Sequence, residues 1–144
     1  MPRLEEIHKE SDHLEIVAEF PDKGPEDLFR FWTDPRLISK WWPPSAQIEA
    51  KQGGSYVLTW PRQNWFLRGT FNRFVPGKYL SFTWKWDHEP EKPLTEVQLK
   101  FERLGDHGTR LTLNHGKYDI NDREQRQSHL DGWLFFLGKL QSAS

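Results

Sequence analysis

Three stretches of this chain alternate with a period of two, and that pattern constrains the fold more than any other feature. In 79–86, Leu80, Phe82, Trp84 and Trp86 fall on one face, while Tyr79, Ser81, Thr83 and Lys85 fall on the other. In 95–103, Val97, Leu99 and Phe101 oppose Glu96, Gln98, Lys100 and Glu102. In 109–115, Leu111, Leu113 and His115 share a face. Successive side chains of an extended strand point to opposite faces, so this pattern predicts an antiparallel sheet with one buried and one wet face. The connections, Val75-Pro76-Gly77-Lys78 and Gly105-Asp106-His107-Gly108, are short turn sequences. They predict a meander.

The rest of the chain supplies the partners of that sheet. Residues 14–20 read as a first strand with Ile16, Ala18 and Phe20 on one face. Gly24-Pro25-Glu26-Asp27 has Pro at a first helical position and acids near the positive end of the dipole, which predicts a helix carrying Leu28, Phe29, Phe31 and Trp32 inward. Asp34-Pro35 starts a second short helix that must stop at Pro43-Pro44. After the Gly53-Gly54 turn, 55–60 and 66–74 read as two more strands. Asn121 with Glu124 three residues on forms a capping signature for a helix over 122–140, about 28 Å long. Its stripe is Leu130, Trp133, Leu137 and Leu140, flanked by Leu134 and Phe136, and it turns polar backward at His129 and Arg126.

The 144 residues form one domain, 1–144, long enough to bury roughly two-thirds of the unfolded surface. A net charge of −1 with both signs interspersed carries no footprint for nucleic acid. No apolar run approaches the roughly 18 residues of a membrane span. The start, Met1-Pro2-Arg3-Leu4-Glu5-Glu6, has acids where a signal peptide is hydrophobic. With no cysteine, disulfides and thiolate chemistry are excluded. A cytoplasmic protein is expected, with no nucleic-acid or membrane partner.

Eight tryptophans stand mostly at junctions: Trp41-Trp42-Pro43-Pro44, Thr83-Trp84-Lys85-Trp86 and Gly132-Trp133. Cores are ordinarily filled with Leu, Ile and Val, whereas ligand pockets are aromatic-lined. So many rings on one sheet face and one helix stripe predict an enclosed space between sheet and helix that takes a hydrophobic or aromatic small molecule. Inward phase puts Tyr56, Leu58 and Trp60 on one strand, Phe71 on the next, and Phe82, Trp84 and Trp86 on a third. These face Trp133 and His129, with Trp42 near the rim, while His115, His129 or Arg126 orients a polar end of the ligand. Either Trp41 or Trp42 anchors the second helix and the other sits at the mouth. Gly69 marks a bend or room for a ligand. A solid aromatic core is the competing reading.

No metal site is expected. His107 and His115 would stand roughly 26 Å apart on one extended strand. His8 and His13 have no third ligand nearby, and His129-Leu130-Asp131-Gly132-Trp133 lacks the second histidine of a zinc-protease helix. No phosphate loop or Ser/His/Asp spacing announces a reaction, so no catalytic residue and no cofactor is assigned. His115 or His129 could act as an acid–base.

A strand, two short helices, a curved meander and one long C-terminal helix resemble the helix-grip arrangement of the START-like (Bet v 1-like) superfamily, an α+β fold. Thr33-Asp34-Pro35 with Trp41-Trp42, Gly53-Gly54-Ser55-Tyr56, Gly69, Val75-Pro76-Gly77-Lys78-Tyr79-Leu80-Ser81-Phe82-Thr83-Trp84, Gly108-Thr109-Arg110-Leu111-Thr112-Leu113 and Asp131-Gly132-Trp133 resemble the AHSA1-type family in particular, over residues 14–140. The family is named for a domain of heat-shock-protein ATPase activators. The resemblance implies a sheet curled around the helix with a cavity between them. Similar domains bind lipids, hormones or polyketides, and some act as cyclases or resistance proteins. The expected function is small-molecule binding, with a cyclase- or hydrolase-like enzyme and a stress-response or co-chaperone-like module as alternatives. A homodimer is admitted. A chaperone partner is not expected, because the exposed strand faces are charged.

Overall fold

The structure is a computed structural model that describes residues 2–8 and 12–143. Its elements are β1 (Leu4–His8), β2 (His13–Phe20), α1 (Pro25–Thr33), α2 (Pro35–Ile38), β3 (Ser45–Ile48), β4 (Ser55–Trp60), β5 (Trp65–Val75), β6 (Tyr79–Trp86), β7 (Thr95–Leu104), β8 (Gly108–Gly116) and α3 (Arg123–Ser142). The eight strands make one antiparallel sheet in the order β1-β2-β8-β7-β6-β5-β4-β3. From β3 to β8 it is the expected meander. Strand β2 then pairs with β8, so the N-terminal part closes the far side.

Period-two patterning becomes a buried face directly. Leu80, Phe82, Trp84, Val97, Leu99, Phe101, Leu111 and Leu113 are all buried together with Trp133 and Leu137 of α3. Cross-strand register aligns them: Leu80 with Leu99, Phe82 with Val97, Leu99 with Leu113 and Phe101 with Leu111. Helix α3 lies against β2 and β1, and α1 against β7 and β8. At its end, Gln141 Nε2 donates to the carbonyls of Arg3 and Glu19, tying α3 to the β1–β2 hairpin.

Two strands lie outside the alternation reading. Strand β1, Leu-Glu-Glu-Ile-His, has an inverted pattern: Glu6 turns inward to an ion pair with Arg126, while Ile7 is exposed. Strand β3 has four residues at the sheet edge, two of them polar. The two short helices therefore follow the second strand, not the first. Helix α1 starts after Gly24 with Pro25 in its first turn, and Asp34 caps α2 by accepting from the Arg36 N–H. The helix α2 stops at Ile38, four residues earlier than Pro43 requires, and a turn carries Trp41 and Trp42 to β3. The N-cap of α3 is Asp122, not Asn121. Its carboxylate accepts from the Gln125 N–H, while Asn121 N–H donates to Asp119. A charged acceptor at the positive end of a helix outcompetes a neutral amide one residue earlier.

Among the described residues, no helix is long and apolar enough to cross a membrane.

Candidate functional site: a tryptophan cluster between sheet and helices

The turn after α2 places Trp41 and Trp42 in different worlds. Trp41 is buried, and its Nε1 donates to the Phe31 carbonyl at 2.8 Å, which pins the turn to α1. Trp42 is half-buried and lies at the centre of the other rings. It is nearly parallel to Trp84 (centroids 5.7 Å apart, planes at 20°) and to Trp41 (5.5 Å, 28°). It also meets Trp133 of α3 at 5.0 Å, Trp32 of α1 at 6.2 Å and Trp60 of β4 at 6.3 Å. Trp41 is thus the anchor and Trp42 the ring at the rim, an alternative that composition and spacing left open.

The rings fill the space they were expected to enclose. Trp84 touches Trp133 directly (5.6 Å), so sheet and α3 are in contact through indoles. Beside Trp42 there remains a void of about 10 Å³, room for a single water molecule. Its lining is Trp32, Ile38, Trp42, Ile48, Tyr56, Leu58, Phe71 and Phe82. It therefore lies between strands β3 to β6 and the two short helices with the turn after them, and no residue of α3 lines it. Of the expected site residues, Trp42, Tyr56, Leu58, Phe71 and Phe82 reach this void. Trp84 and Trp133 pack against Trp42, while Trp60 and Trp86 pair with each other (5.2 Å) toward exposed Trp65. In this closed arrangement the interior is the solid aromatic core. Gly69 makes room for the protein itself: a Cβ there would fall 2.6 Å from the Tyr56 ring and 2.0 Å from the Thr83 carbonyl, to which the Tyr56 hydroxyl donates.

Polar bookkeeping distinguishes these rings. Trp41 and Trp133 have partners for their N–H groups, the second being Nδ1 of His115 at 3.0 Å. Trp32 and Trp84 do not: both indole nitrogens are buried without an acceptor. A buried donor left unpaired costs about 1–3 kcal/mol, so two in one cluster form an unusual concentration.

The histidines come together beside this cluster. His115 is fully buried; it accepts from Trp133 at Nδ1 and so donates from Nε2 to Thr95 Oγ1 at 2.8 Å. Both ring nitrogens are spent within the protein. Burial holds its pKa well below the ordinary histidine value, with His129 adding to the effect. His129 stacks on it (4.8 Å, 15°) and bonds through Nδ1 to the Tyr118 hydroxyl at 2.8 Å. Burial lowers the His129 pKa to about 4, against the opposing pull of the Asp122 carboxylate. Burial also raises the Tyr118 pKa, so its hydroxyl stays protonated and donates. At neutral pH the pair is uncharged.

Arg126 stands elsewhere. Its guanidinium binds Glu6 at 2.6 Å and the His13 carbonyl at 3.0 Å, tying α3 to β1 and β2. Among the described residues, no group of three His, Cys, Asp or Glu side chains is placed to hold a metal; the His8 side chain lies outside them. Sequence reasoning assigned Trp32 only packing and gave Ile38, Tyr118 and Thr95 no role. Trp32 carried a readable signal, as an inward indole on α1 whose N–H needs a partner. Tyr118 sits in an irregular segment with no period to read.

The chain matches the sequence profile of the "Activator of Hsp90 ATPase homolog 1-like protein" family over residues 22–144. It is 27% identical over 78 residues to the mouse "Activator of 90 kDa heat shock protein ATPase homolog 1", a match covering 54% of this chain and 22% of that protein. The chain thus spans about a fifth of that relative's length. In solved structures its fold is similar to PFC0360w, an HSP90 activator from Plasmodium falciparum, with a TM-score of 0.75, 22% identity, and 90% and 94% of the two chains covered. It is similar also to DynU16, a protein in the dynemicin biosynthetic locus, with a TM-score of 0.77, 20% identity, and 91% and 46% covered. At these identities the structural likeness shows the fold alone. Profile, helix-grip topology and eight-stranded sheet agree, and the chain belongs to the AHSA1 family.

Proposed function

We propose that this protein binds a planar, largely apolar small molecule in the place Trp42 occupies between Trp84, Trp133 and Trp32. The observation that carries the reading is the Trp42 ring itself. It is half-buried, it sits on a turn outside any helix or strand, and it is held by stacking at 5.7 Å against Trp84. An indole stacked between indoles marks a slot whose walls fit a flat aromatic ring. Swinging the turn outward would join that slot to the void beside Trp32, giving an aromatic-lined pocket of the ordinary kind. Trp41, pinned to Phe31, limits the movement to the residues after it. A fold neighbour from a natural-product biosynthetic locus is in keeping with such a ligand. The histidines take no chemical part in this reading, because His115 has no nitrogen free and His129, its Nδ1 held by the Tyr118 hydroxyl and its pKa lowered to about 4 by burial, is a weak base. A cytoplasmic location belongs to the same proposal.

The test is a titration of the purified protein with fluorene, phenanthrene and 9-fluorenone, followed by tryptophan fluorescence and melting temperature. A ligand that binds only the native state raises the melting temperature by mass action. Binding should quench the cluster and raise that temperature. If none of the three does either at its solubility limit, in the parent or in Trp42→Ala, the reading fails.

A second reading, an interaction module for a chaperone, rests on the matched relatives and on Phe135, which is 61% exposed on the outer side of α3. Stimulation of a 90 kDa heat-shock-protein ATPase by the purified chain, lost in Phe135→Ser, would favour it. No stimulation would remove it.

A further inference from the structure

Resting on the binding site proposed above, we infer that the site selects uncharged planar ligands carrying a hydrogen-bond acceptor oxygen, such as an aromatic ketone, over hydrocarbons and over ionised acids. The inference comes from what the cluster leaves unpaired. Four buried indoles surround Trp42, and their N–H groups fall into two classes. Those of Trp41 and Trp133 are committed, to the Phe31 carbonyl and to His115 Nδ1. Those of Trp32 and Trp84 have no acceptor, although the two residues are only 2% and 7% exposed. Both rings contact Trp42, and Trp32 is also a wall of the void. A ligand that takes the place of Trp42 therefore has beside it two indole N–H groups that no acceptor in the protein satisfies. The Trp32 ring stands at 68° to the place of Trp42 and the Trp84 ring nearly parallel to it at 20°, so a stacked ligand reaches the Trp84 donor only with a group that projects past the ring.

The neighbouring polar groups sharpen the selection. Tyr56 spends its hydroxyl hydrogen on the Thr83 carbonyl, and His115 spends both nitrogens on Trp133 and Thr95. No charged side chain lines the void. The cations of the polar start of α3 and its neighbour are held in pairs away from the void, Arg126 by Glu6 and Lys92 by Asp122. An ionised carboxylate in this space would lose its hydration and find no counter-charge, whereas a carbonyl oxygen loses little and gains a donor. Trp42 brings an N–H of its own and no acceptor, so it cannot satisfy the two donors while it fills the slot.

The test compares three compounds of one ring system: fluorene, 9-fluorenone and fluorene-9-carboxylate. Transfer from water favours the hydrocarbon, so a preference for the ketone reports a hydrogen bond. The ketone should bind about three- to tenfold tighter than fluorene, the value of one buried hydrogen bond, and the carboxylate at least about tenfold weaker than the ketone. Trp84→Phe and Trp32→Phe keep an aromatic face and remove the N–H. At least one should bring ketone and hydrocarbon to parity while fluorene affinity stays within about threefold, and two variants guard against one failing to fold. Equal binding of ketone and hydrocarbon to the parent overturns the inference and leaves the binding site standing. So does a carboxylate that matches the ketone, or a ketone preference that survives both substitutions, which would mean that the N–H groups are satisfied by neighbouring ring faces. No binding of any compound overturns inference and site together.

Discussion

The two ends of this core are built differently. Where α3 packs on β2 and the core continues onto β8 and β7, Leu14, Ile16, Leu99, Leu111, Leu113 and Leu137 are each at most 2% exposed and carry no side-chain polar atom. Where α1, α2 and the turn at Trp42 meet β4 to β6, most of the side chains are aromatic, with Ile38 and Leu58 among them, two indole donors are unpaired and one ring is half-buried. Aliphatic side chains interlock with no polar cost, so the first region holds the sheet on the helix. Aromatic side chains deliver area along with an N–H that must go somewhere. A region that tolerates unpaired donors gives up stability, and such concessions gather where a protein meets something else. The aliphatic end is scaffold; the aromatic end is the candidate site.

The largest effect expected is at the seam. Trp133 belongs to both regions: it is 3% exposed, contacts Trp32, Trp42 and Trp84, and holds His115 by its N–H. Trp133→Ala should cost about 3–5 kcal/mol, the range for large aromatic truncations in cores. Urea unfolding measures it. Leu137→Ala, one turn further into the aliphatic end, should cost about 2–5 kcal/mol yet leave the response to 9-fluorenone intact. If the leucine variant abolished that response too, the two regions would not be separable.

Acid should act next, through the histidines beside the aromatic end. His129 has its pKa lowered from 6.5 to about 4 by burial, so above pH 6.5 neither folded nor unfolded chains carry that proton. As pH falls below 6.5 the unfolded state gains a proton the folded state refuses, and stability is lost down to about pH 4. The loss from His129 alone is about 3 kcal/mol, at about 1.4 kcal/mol per pH unit. His115, shifted in the same direction, adds to it. Unfolding curves at pH 7, 5.5 and 4.5 should show this slope, and His129→Gln should reduce it to the part that buried His115 contributes. A flat profile in the parent would mean that the pair is hydrated in solution.

Arg126 tests where the polar part of α3 belongs. Its ion pair with Glu6 is about 15% exposed on each side, so Arg126→Met leaves a half-desolvated carboxylate and should cost about 2 kcal/mol. The affinity for 9-fluorenone should not change. A large loss of affinity, with stability unmoved, would return Arg126 to the ligand site that its helical phase suggested.

That phase error shows what sequence can and cannot carry here. Alternation in 79–86, 95–103 and 109–115 made the sheet legible because one buried face imposes one period. Strand β1 escaped because its inward Glu6 is justified only by Arg126, 120 residues away. The site followed the same rule. Which rings point inward could be read from their phase, and Tyr56, Leu58, Phe71 and Phe82 do reach the void. Whether they enclose a space or fill it depends on how Trp41 and Trp42 divide their roles, and that rests on one bond to the Phe31 carbonyl. The unpaired donors are further still from the sequence, since a missing partner is a property of the whole packing.

The smallest stability effect, and the most informative about function, belongs to Trp42. The ring is half-buried, on a turn that can close over the gap, so Trp42→Ala should cost only about 1–2 kcal/mol, less than a fully buried indole. Its effect on binding depends on the role of the ring. If Trp42 fills the slot that the ligand takes, every binding event must first undo its stacking on Trp84 and Trp41, and only the opened fraction is competent. Removing the ring lifts that requirement, and affinity for 9-fluorenone should rise about tenfold, equivalent to about 1.4 kcal/mol of stacking no longer broken. If Trp42 is instead a fixed wall against which the ligand stacks, the same substitution removes a contact and affinity should fall. Calorimetric titration of the parent and Trp42→Ala proteins gives the sign. A fall would retain a ligand site at the rim but end the account in which the aromatic end opens, and the solid core would then be the working state of the protein.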